Sequence, residues 1–131
     1  MIFVDSNIAM YCIGKEHPLK ARAETLAENL ILRGERLVTS AEVMQEILHR
    51  FTAIRRPDMI QPALDALSAL VDEIFSVSHD HILTARDLIF RYPKISARDA
   101  VHAAVMQSFS IERIFSFDVG FDVLPSIERI H

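Results

Sequence analysis

The 131-residue chain is 50% hydrophobic and 24% charged, and 18 acidic residues against 14 lysines and arginines give it a net charge of −4. This length and composition fit one globular domain over residues 1–131 and exclude a disordered or collagen-like chain. The negative charge argues against a general nucleic-acid coating protein, but it is compatible with a nuclease whose metal-binding pocket is itself acidic. The single Cys12 cannot form an internal disulfide, and neither a membrane span nor a secretory signal is visible, so we expect a cytoplasmic protein.

The first part of the chain alternates strand and helix patterns. Ile2–Val4 is an apolar run that predicts a buried strand, and a short helix is predicted over Ile8–Ile13. Pro18 is typical of the first turn of a second helix, which Gly34 ends. A second strand is predicted over Leu37–Thr39.

Two helices are predicted after the second strand. Thr39 or Ser40 can cap the first helix, Thr39 and Glu42 fit a capping box there, and Pro57 opens the other helix. The apolar run Ile74–Val77 predicts a third strand, and Ser78 is expected to cap the helix that follows it.

The last part of the chain begins with an alanine-rich helix capped by Ser96, which is apolar on most sides and therefore predicted to be buried. A fourth strand is predicted over Arg113–Phe117, a turn at Asp118 and Gly120, and a short final strand over Ile127–Ile130. Strands that alternate with helices require crossover connections. The sequence therefore predicts an α/β fold, a three-layer α/β/α sandwich around a mainly parallel sheet of four to five strands.

Acidic side chains recur where the predicted elements meet one edge of this sheet. Asp5 and Asp118 directly follow strands, Glu46 lies in the helix after the second strand, and Asp99 begins the buried helix. Taken singly, each acid has a simpler explanation as a helix cap, a turn residue or a surface acid. Because ligands bind at the carboxyl ends of parallel strands, we expect the four to converge on one cleft. Glu42 is explained by its capping box, whereas Glu46 has no such local role.

Clustered carboxylates in a mostly buried setting need a cation, because burial and mutual repulsion otherwise raise their pKa values. An all-oxygen ligand set suits Mg²⁺ or Mn²⁺ rather than Zn²⁺. Glycine-rich nucleotide-binding loops and a nucleophile elbow are missing from the sequence, and His102 is interpreted as a core histidine. A phospho-acceptor signalling domain would share the acidic pocket, but none of Lys15, Lys20 and Lys94 follows a late strand, as that chemistry needs.

In these motifs the chain resembles the PIN-domain ribonucleases, specifically the VapC-type toxins of bacterial toxin–antitoxin pairs, over essentially its whole length. The similar segments are Ile2–Asn7, Thr39–Glu46, Ala97–Ala104 and Phe115–Phe121. Each is weak alone, but four in this order make a specific match. Ser6 and Ser116 stand where threonine is common, and Gly120 stands where the family often has a charged or acidic residue. That departure leaves Asp118 and Asp122 as alternatives for the fourth acid, and the position after a strand favours Asp118.

The resemblance implies a PIN-like fold and a metal-dependent endoribonuclease that hydrolyses phosphodiester bonds in RNA. One or two Mg²⁺ (or Mn²⁺) ions are implied, with Asp5 and Asp99 as the central ligands. The implied catalytic and metal-binding acids are Asp5, Glu46, Asp99 and Asp118. Asn7 and Ser116 are then expected to orient the carboxylates through hydrogen bonds.

Basic residues near the predicted helix starts and loops are candidates for binding RNA. They are Arg50, Arg55, Arg56, Arg91, Lys94 and Arg98. The resemblance also implies a homodimer and a cognate VapB-type antitoxin whose C-terminal segment crosses the cleft, with the apolar helical region 43–71 as a groove for its amphipathic part. The alternative is a catalytically weak PIN-fold module that binds RNA or protein. Such members usually lack one or more acids, and here all four positions are filled.

Overall fold

The computed structural model describes all 131 residues and contains five strands and six α-helices. The strands are β1 (Ile2–Val4), β2 (Leu37–Ser40), β3 (Glu73–Phe75), β4 (Arg113–Phe115) and β5 (Glu128–Ile130). The helices are α1 (Ser6–Ile13), α2 (Pro18–Leu32), α3 (Ala41–Ala53), α4 (Ile60–Leu70), α5 (His79–Arg91) and α6 (Ala97–Ser108). Two 3₁₀ turns, Pro57–Met59 and Val119–Val123, precede α4 and β5. None of the helices combines the length and the apolar character that a membrane crossing requires.

The five strands form one parallel sheet in the order β3-β2-β1-β4-β5, with helices layered on both faces. The predicted three-layer α/β/α fold is therefore confirmed. β1 is the central strand, and Phe3 pairs with Val38 on one side and Ile114 on the other. All three β1 residues are fully buried, as an apolar strand between two layers of helices must be. The residue after β1 consequently lies in the middle of the carboxyl edge.

The helices divide between the two faces. α1 packs against α2, α3 and α4, while α5 and α6 pack closely against each other. α6 is buried over most of its length, as its alanine-rich sequence predicts, and the Ser96 hydroxyl caps it by accepting from the amide of Asp99. Ser78 caps α5 as expected, and the His81 side chain completes the capping box. These caps fix where α5 and α6 begin.

The capping box predicted for Thr39 and Glu42 is wrong. Thr39 belongs to β2, and its buried hydroxyl donates to the carbonyl of Val4 on the neighbouring strand at 2.8 Å. Ser40 is the N-terminal cap residue of α3, and it makes no side-chain capping bond. The position of β2 between β3 and β1 explains the difference, because a buried hydroxyl there has a nearer partner in the next strand than in the helix.

β3 and β4 end two residues earlier than predicted, while β2 ends and β5 begins one residue later. β3 runs from Glu73 to Phe75 rather than over 74–77, because its one partner, β2, ends at Ser40, which pairs with Phe75. β4 ends at Phe115 rather than at residue 117. The amide of Phe117 donates to the side-chain oxygen of Asn7 at 3.3 Å rather than to a neighbouring strand. The chain therefore leaves the sheet earlier, next to the carboxyl end of β1.

Candidate metal centre

The first acid, Asp5, stands where β1 ends and α1 begins. It caps α1, since its Oδ1 accepts the amide of Ser6 at 2.7 Å. Its Oδ2 accepts the Ser116 hydroxyl at 2.6 Å and the Asn7 side-chain amide at 2.9 Å. The side chain is buried, with 4% of the residue exposed. Three donors thus hold this carboxylate in one orientation at the centre of the sheet edge.

Glu46 lies in the second turn of α3 and is buried rather than solvated. Its Oε2 accepts the Ser6 hydroxyl at 2.6 Å, and its Oε1 is 2.8 Å from Nε2 of His102. The same Nε2 lies 4.0 Å from Oδ1 of Asp5. Glu42, one turn earlier, is only partly buried and makes no side-chain hydrogen bond. The helix therefore presents Glu46 to the cluster.

Asp99 and Asp118 face each other at the open side of the cluster. Asp99 is buried in the first turn of α6, and Asp118 is exposed at the start of the second 3₁₀ turn, where its Oδ1 accepts the amide of Gly120 at 2.8 Å. A Cβ atom on Gly120 would lie 2.9 Å from Oδ2 of Asp99 and 3.1 Å from Oδ1 of Asp118. Glycine at this position therefore preserves a space beside the two carboxylates.

Asp122, the alternative fourth acid, is turned to another partner. Both of its oxygens are hydrogen-bonded to the guanidinium of Arg129, at 2.8 and 3.0 Å. This pair holds the pKa of Asp122 below its ordinary value. The geometry favours Asp118 over Asp122 as the fourth member of the cluster.

Ser116 connects two of the acids. Its hydroxyl donates to Asp5 and accepts the amide of Asp118 at 3.0 Å and the side-chain amide of Asn7 at 3.2 Å. Asn7 in turn accepts the amide of Phe117 through its side-chain oxygen. The two residues expected to orient the carboxylates therefore lie where they can do so.

The charges in the cluster are unequally compensated. Burial, followed by the charges of Asp118 and Asp5, raises the pKa of Asp99 from 3.8 to about 6. Burial likewise raises the pKa of Asp5, although its hydrogen bonds oppose the change. Burial also raises the pKa of Glu46, but the hydrogen bond and charge of His102 outweigh it, so that this pKa is lowered overall. A cation bound at Asp99 would therefore remove the largest repulsion.

The donor set fits a hard divalent cation. Asp5, Glu46 and His102 offer ligand atoms within 4.8 Å of one another, and Asp99 and Asp118 flank the space that Gly120 leaves free. Carboxylate oxygens are the ligands that Mg²⁺ and Mn²⁺ prefer. The imidazole is already engaged with Glu46, so the available donors are oxygens.

Comparison with known proteins identifies the family of the chain. The family model described as PIN domain matches residues 2–126. The chain belongs to the PIN-domain family. Within that family, a VapC ribonuclease of Mycobacterium bovis and the ribonuclease VapC13 of Mycobacterium tuberculosis are each 52% identical over 130 residues, which cover 99% of both chains. The ribonuclease VapC23 of Mycobacterium tuberculosis is 41% identical over 90% of this chain and 93% of its own. The chain is thus a member of the VapC group.

Solved VapC structures have the same fold. The crystal structure of Mycobacterium tuberculosis VapC20, a sarcin-ricin loop cleaving toxin, superposes with a TM-score of 0.72 at 22% identity over 95% of each chain. The toxin–antitoxin complex VapBC-1 of Haemophilus influenzae gives 0.70 at 20% identity over 99% of this chain and 97% of that one. At these identities the likeness concerns the PIN fold.

The basic residues considered for RNA binding are dispersed over this PIN domain. Arg50 lines a cavity of about 400 Å³ that Asn7 also borders, and the charge of Arg98 acts on Glu46. Arg56 is paired with Asp58. Arg91 lines a different cavity, which none of the four acids borders, while Arg55 and Lys94 are exposed. Arg98 is therefore the one whose charge acts on an acid of the cluster, and Arg50 shares its cavity with Asn7, which donates to Asp5.

Sequence reasoning missed the roles of two side chains of the PIN site. Ser6 bridges two acids, since its amide donates to Asp5 and its hydroxyl to Glu46, and His102, predicted only as a core histidine, contacts Glu46. His102 is fully buried, so its prediction as a core residue is confirmed, but its contact with Glu46 was not predicted. The spacing was informative, because residues three apart share a helix face and Asp99 is three residues before His102.

Proposed function

We propose that this VapC-group protein is a metal-dependent endoribonuclease that hydrolyses phosphodiester bonds in RNA, and that it is the toxin of a toxin–antitoxin pair. The observation that carries the proposal is the convergence of carboxylates from four distant segments on one cleft. The acids are Asp5, Glu46, Asp99 and Asp118. The ribonuclease names of relatives 52% identical over almost the whole chain support it.

The four acids are proposed to bind Mg²⁺ or Mn²⁺ in two ways. Asp5 and Asp99 are proposed as the central ligands, and Glu46 and Asp118 complete the pocket. When bound, the cation would lower the pKa of a water molecule and stabilise charge on the phosphate that is cleaved. Because Asp5 and Glu46 are buried while Asp118 is exposed, RNA would reach the site from the side of Asp118.

The test is cleavage of RNA under single-turnover conditions with Mg²⁺, Mn²⁺ or EDTA. The wild-type protein should cut only with a divalent cation. Asp118→Asn should slow cleavage by more than about tenfold, whereas Asp122→Asn, the matched control, should cut at the normal rate because that acid faces Arg129. Wild-type protein that binds RNA without cutting it would instead support the catalytically weak binding module.

RNA contact is proposed for Arg98, whose charge acts on Glu46, and for Arg50, which shares a cavity with Asn7. Arg50→Ala and Arg98→Ala should each raise the KM for RNA and make binding less dependent on salt, because each removes one phosphate-neutralising charge. Arg91→Ala is the control, since Arg91 lines a separate cavity. Equal effects of all three substitutions would mean that the arginines act only through net charge.

A VapB-type antitoxin is the proposed protein partner, and the region 43–71 is the proposed groove. Phe51, Ile54 and Met59 from this region line the 400 Å³ cavity together with Tyr11 of α1. An amphipathic segment could bury apolar side chains there. Co-expression with the antitoxin should yield a complex, and Ile54→Glu should weaken it.

Self-association and location complete the proposal. A homodimer is proposed, and Phe90, which is 75% exposed on α5, is a candidate contact. Sedimentation of the wild-type protein and of Phe90→Ser tests it. Because RNA and Mg²⁺ are the proposed substrate and cofactor, the cytoplasm is the proposed location.

A further inference from the structure

The fully buried imidazole of His102 has no role in the four-acid scheme. Its Nε2 lies 2.8 Å from Oε1 of Glu46, and because a carboxylate can only accept, Nε2 must carry the hydrogen. Its other nitrogen, Nδ1, is buried without a hydrogen-bond partner. An apolar side chain would avoid that unpaired nitrogen, so packing alone does not explain a histidine at this position.

The ring itself is held by aromatic neighbours. Phe3 of β1 lies with its ring centre 5.5 Å from that of His102, and Phe121 lies 6.3 Å away on the second 3₁₀ turn. Both phenylalanines are fully buried. The direction in which Nε2 points is therefore set by the core, which is rigid on the scale of a side-chain rotation.

Glu46 is consequently held from two sides. The Ser6 hydroxyl donates to Oε2 and His102 donates to Oε1, so neither oxygen can turn away without losing a bond. Glu46 stands one and a half turns into α3, where no backbone amide is free to orient it. The imidazole thus makes the one hydrogen bond between this carboxylate and α6, the helix that bears Asp99.

We propose that His102 is a positioning residue that fixes Glu46 for the divalent cation through its Nε2–H and does not itself bind the ion. This inference rests on the proposed function, but its test measures metal affinity and does not depend on RNA cleavage. It also predicts that any side chain able to place one donor at the position of Nε2 can replace the imidazole.

The experiment compares His102→Gln with His102→Leu by calorimetric titration of Mg²⁺ and of Mn²⁺, and by melting temperature. Glutamine can place an amide donor near the position of Nε2, whereas leucine fills the space without a donor. His102→Leu should lower the affinity for both ions by about 10–100-fold. His102→Gln should retain most of the wild-type affinity for both. Met106→Ala, one turn along α6 in the core and away from the acids, is the control for lost packing.

Two results would overturn the proposal. If His102→Gln binds Mg²⁺ normally but loses Mn²⁺, the imidazole is a metal ligand, because nitrogen donors favour the transition metal. If His102→Leu binds both ions normally and only melts at a lower temperature, as Met106→Ala should, the histidine has a purely structural role. Normal metal affinities in a wild-type protein that cuts no RNA would refute the proposed function and leave the role of His102 testable.

Discussion

Replacing Asp99 by asparagine should stabilise the metal-free protein at neutral pH and change little near pH 4. In the folded protein the pKa of Asp99 is raised from 3.8 to about 6. A folded pKa above the unfolded one means that the folded state holds the proton more tightly, so the stability from this group is present at low pH and is lost as the pH rises through about 6. Asparagine carries no charge at any of these pH values and escapes that loss.

The size of the effect follows from the change in the pKa of Asp99. A difference of about two units corresponds to at most ~3 kcal/mol, since one unit is about 1.4 kcal/mol. Water reaches the pocket beside the exposed Asp118 and screens the repulsion, so we expect about 1–2 kcal/mol at pH 7.5. For a domain of this size that is a rise in Tm of about 3–8 °C.

The assay is thermal melting of both proteins in EDTA between pH 4.5 and 8. The gain of Asp99→Asn should grow across this range and level off above pH 7. Asp122→Asn should have the opposite effect, a small loss of stability above pH 5. Arg129 lowers the pKa of the Asp122 carboxyl, so the substitution removes a favourable charge. A gain for Asp99→Asn that does not depend on pH, or a loss at pH 7.5, would refute the electrostatic reasoning. In saturating Mg²⁺ the wild type should instead melt at a higher temperature than Asp99→Asn, because only the wild type keeps the full set of metal ligands.

Two further predictions concern residues that border the same cluster. Glu46→Gln should reduce the rate of single-turnover cleavage by more than about tenfold. Glu42→Gln, on the same helix but without a side-chain hydrogen bond, should leave the cleavage rate and Tm unchanged. The opposite result would mean that Glu42, not Glu46, belongs to the site. Gly120→Ala should weaken Mg²⁺ by about tenfold or more in a titration while keeping its Tm, because the new methyl would displace the flexible carboxylate of Asp99 rather than the backbone. Normal affinity in this variant would mean that the space beside Gly120 is not used.

The order of the elements could be predicted from the sequence because each depends on local pattern. The apolar run of β1, Pro18 at the start of α2 and Ser96 at the start of α6 all act within a few residues. The carboxyl-edge position of Asp5 followed from the same pattern and from the parallel arrangement of the strands. Local pattern also gave the wrong capping box, because it could not show that β2 occupies a buried place beside β1 and supplies Thr39 with a partner across the sheet.

The contacts inside the cluster depend on residues far apart in the chain, and for that reason they were beyond local pattern. Ser6 meets Glu46 across 40 positions, and His102 meets it across 56. Asp118 and Asp122 stand four residues apart, and the sequence favours Asp118 only by its place after a predicted strand, whereas the pairing of Asp122 with Arg129 is visible only in the fold. The tertiary fold therefore decides which of several chemically similar side chains join the site.

The distribution of hydrogen-bond donors indicates where a cation gains most from binding. Asp5 accepts from three donors and Glu46 from two, so both carboxylates are stabilised in the folded protein before any ion arrives. Asp99 instead faces the charges of Asp5 and Asp118, and its pKa is the one raised to about 6. Repulsion that is present without the ion and absent with it adds to the affinity for the ion. The same substitution, Asp99→Asn, should therefore increase the stability of the metal-free protein and decrease its affinity for Mg²⁺, and both changes should shrink together as the pH falls below 6.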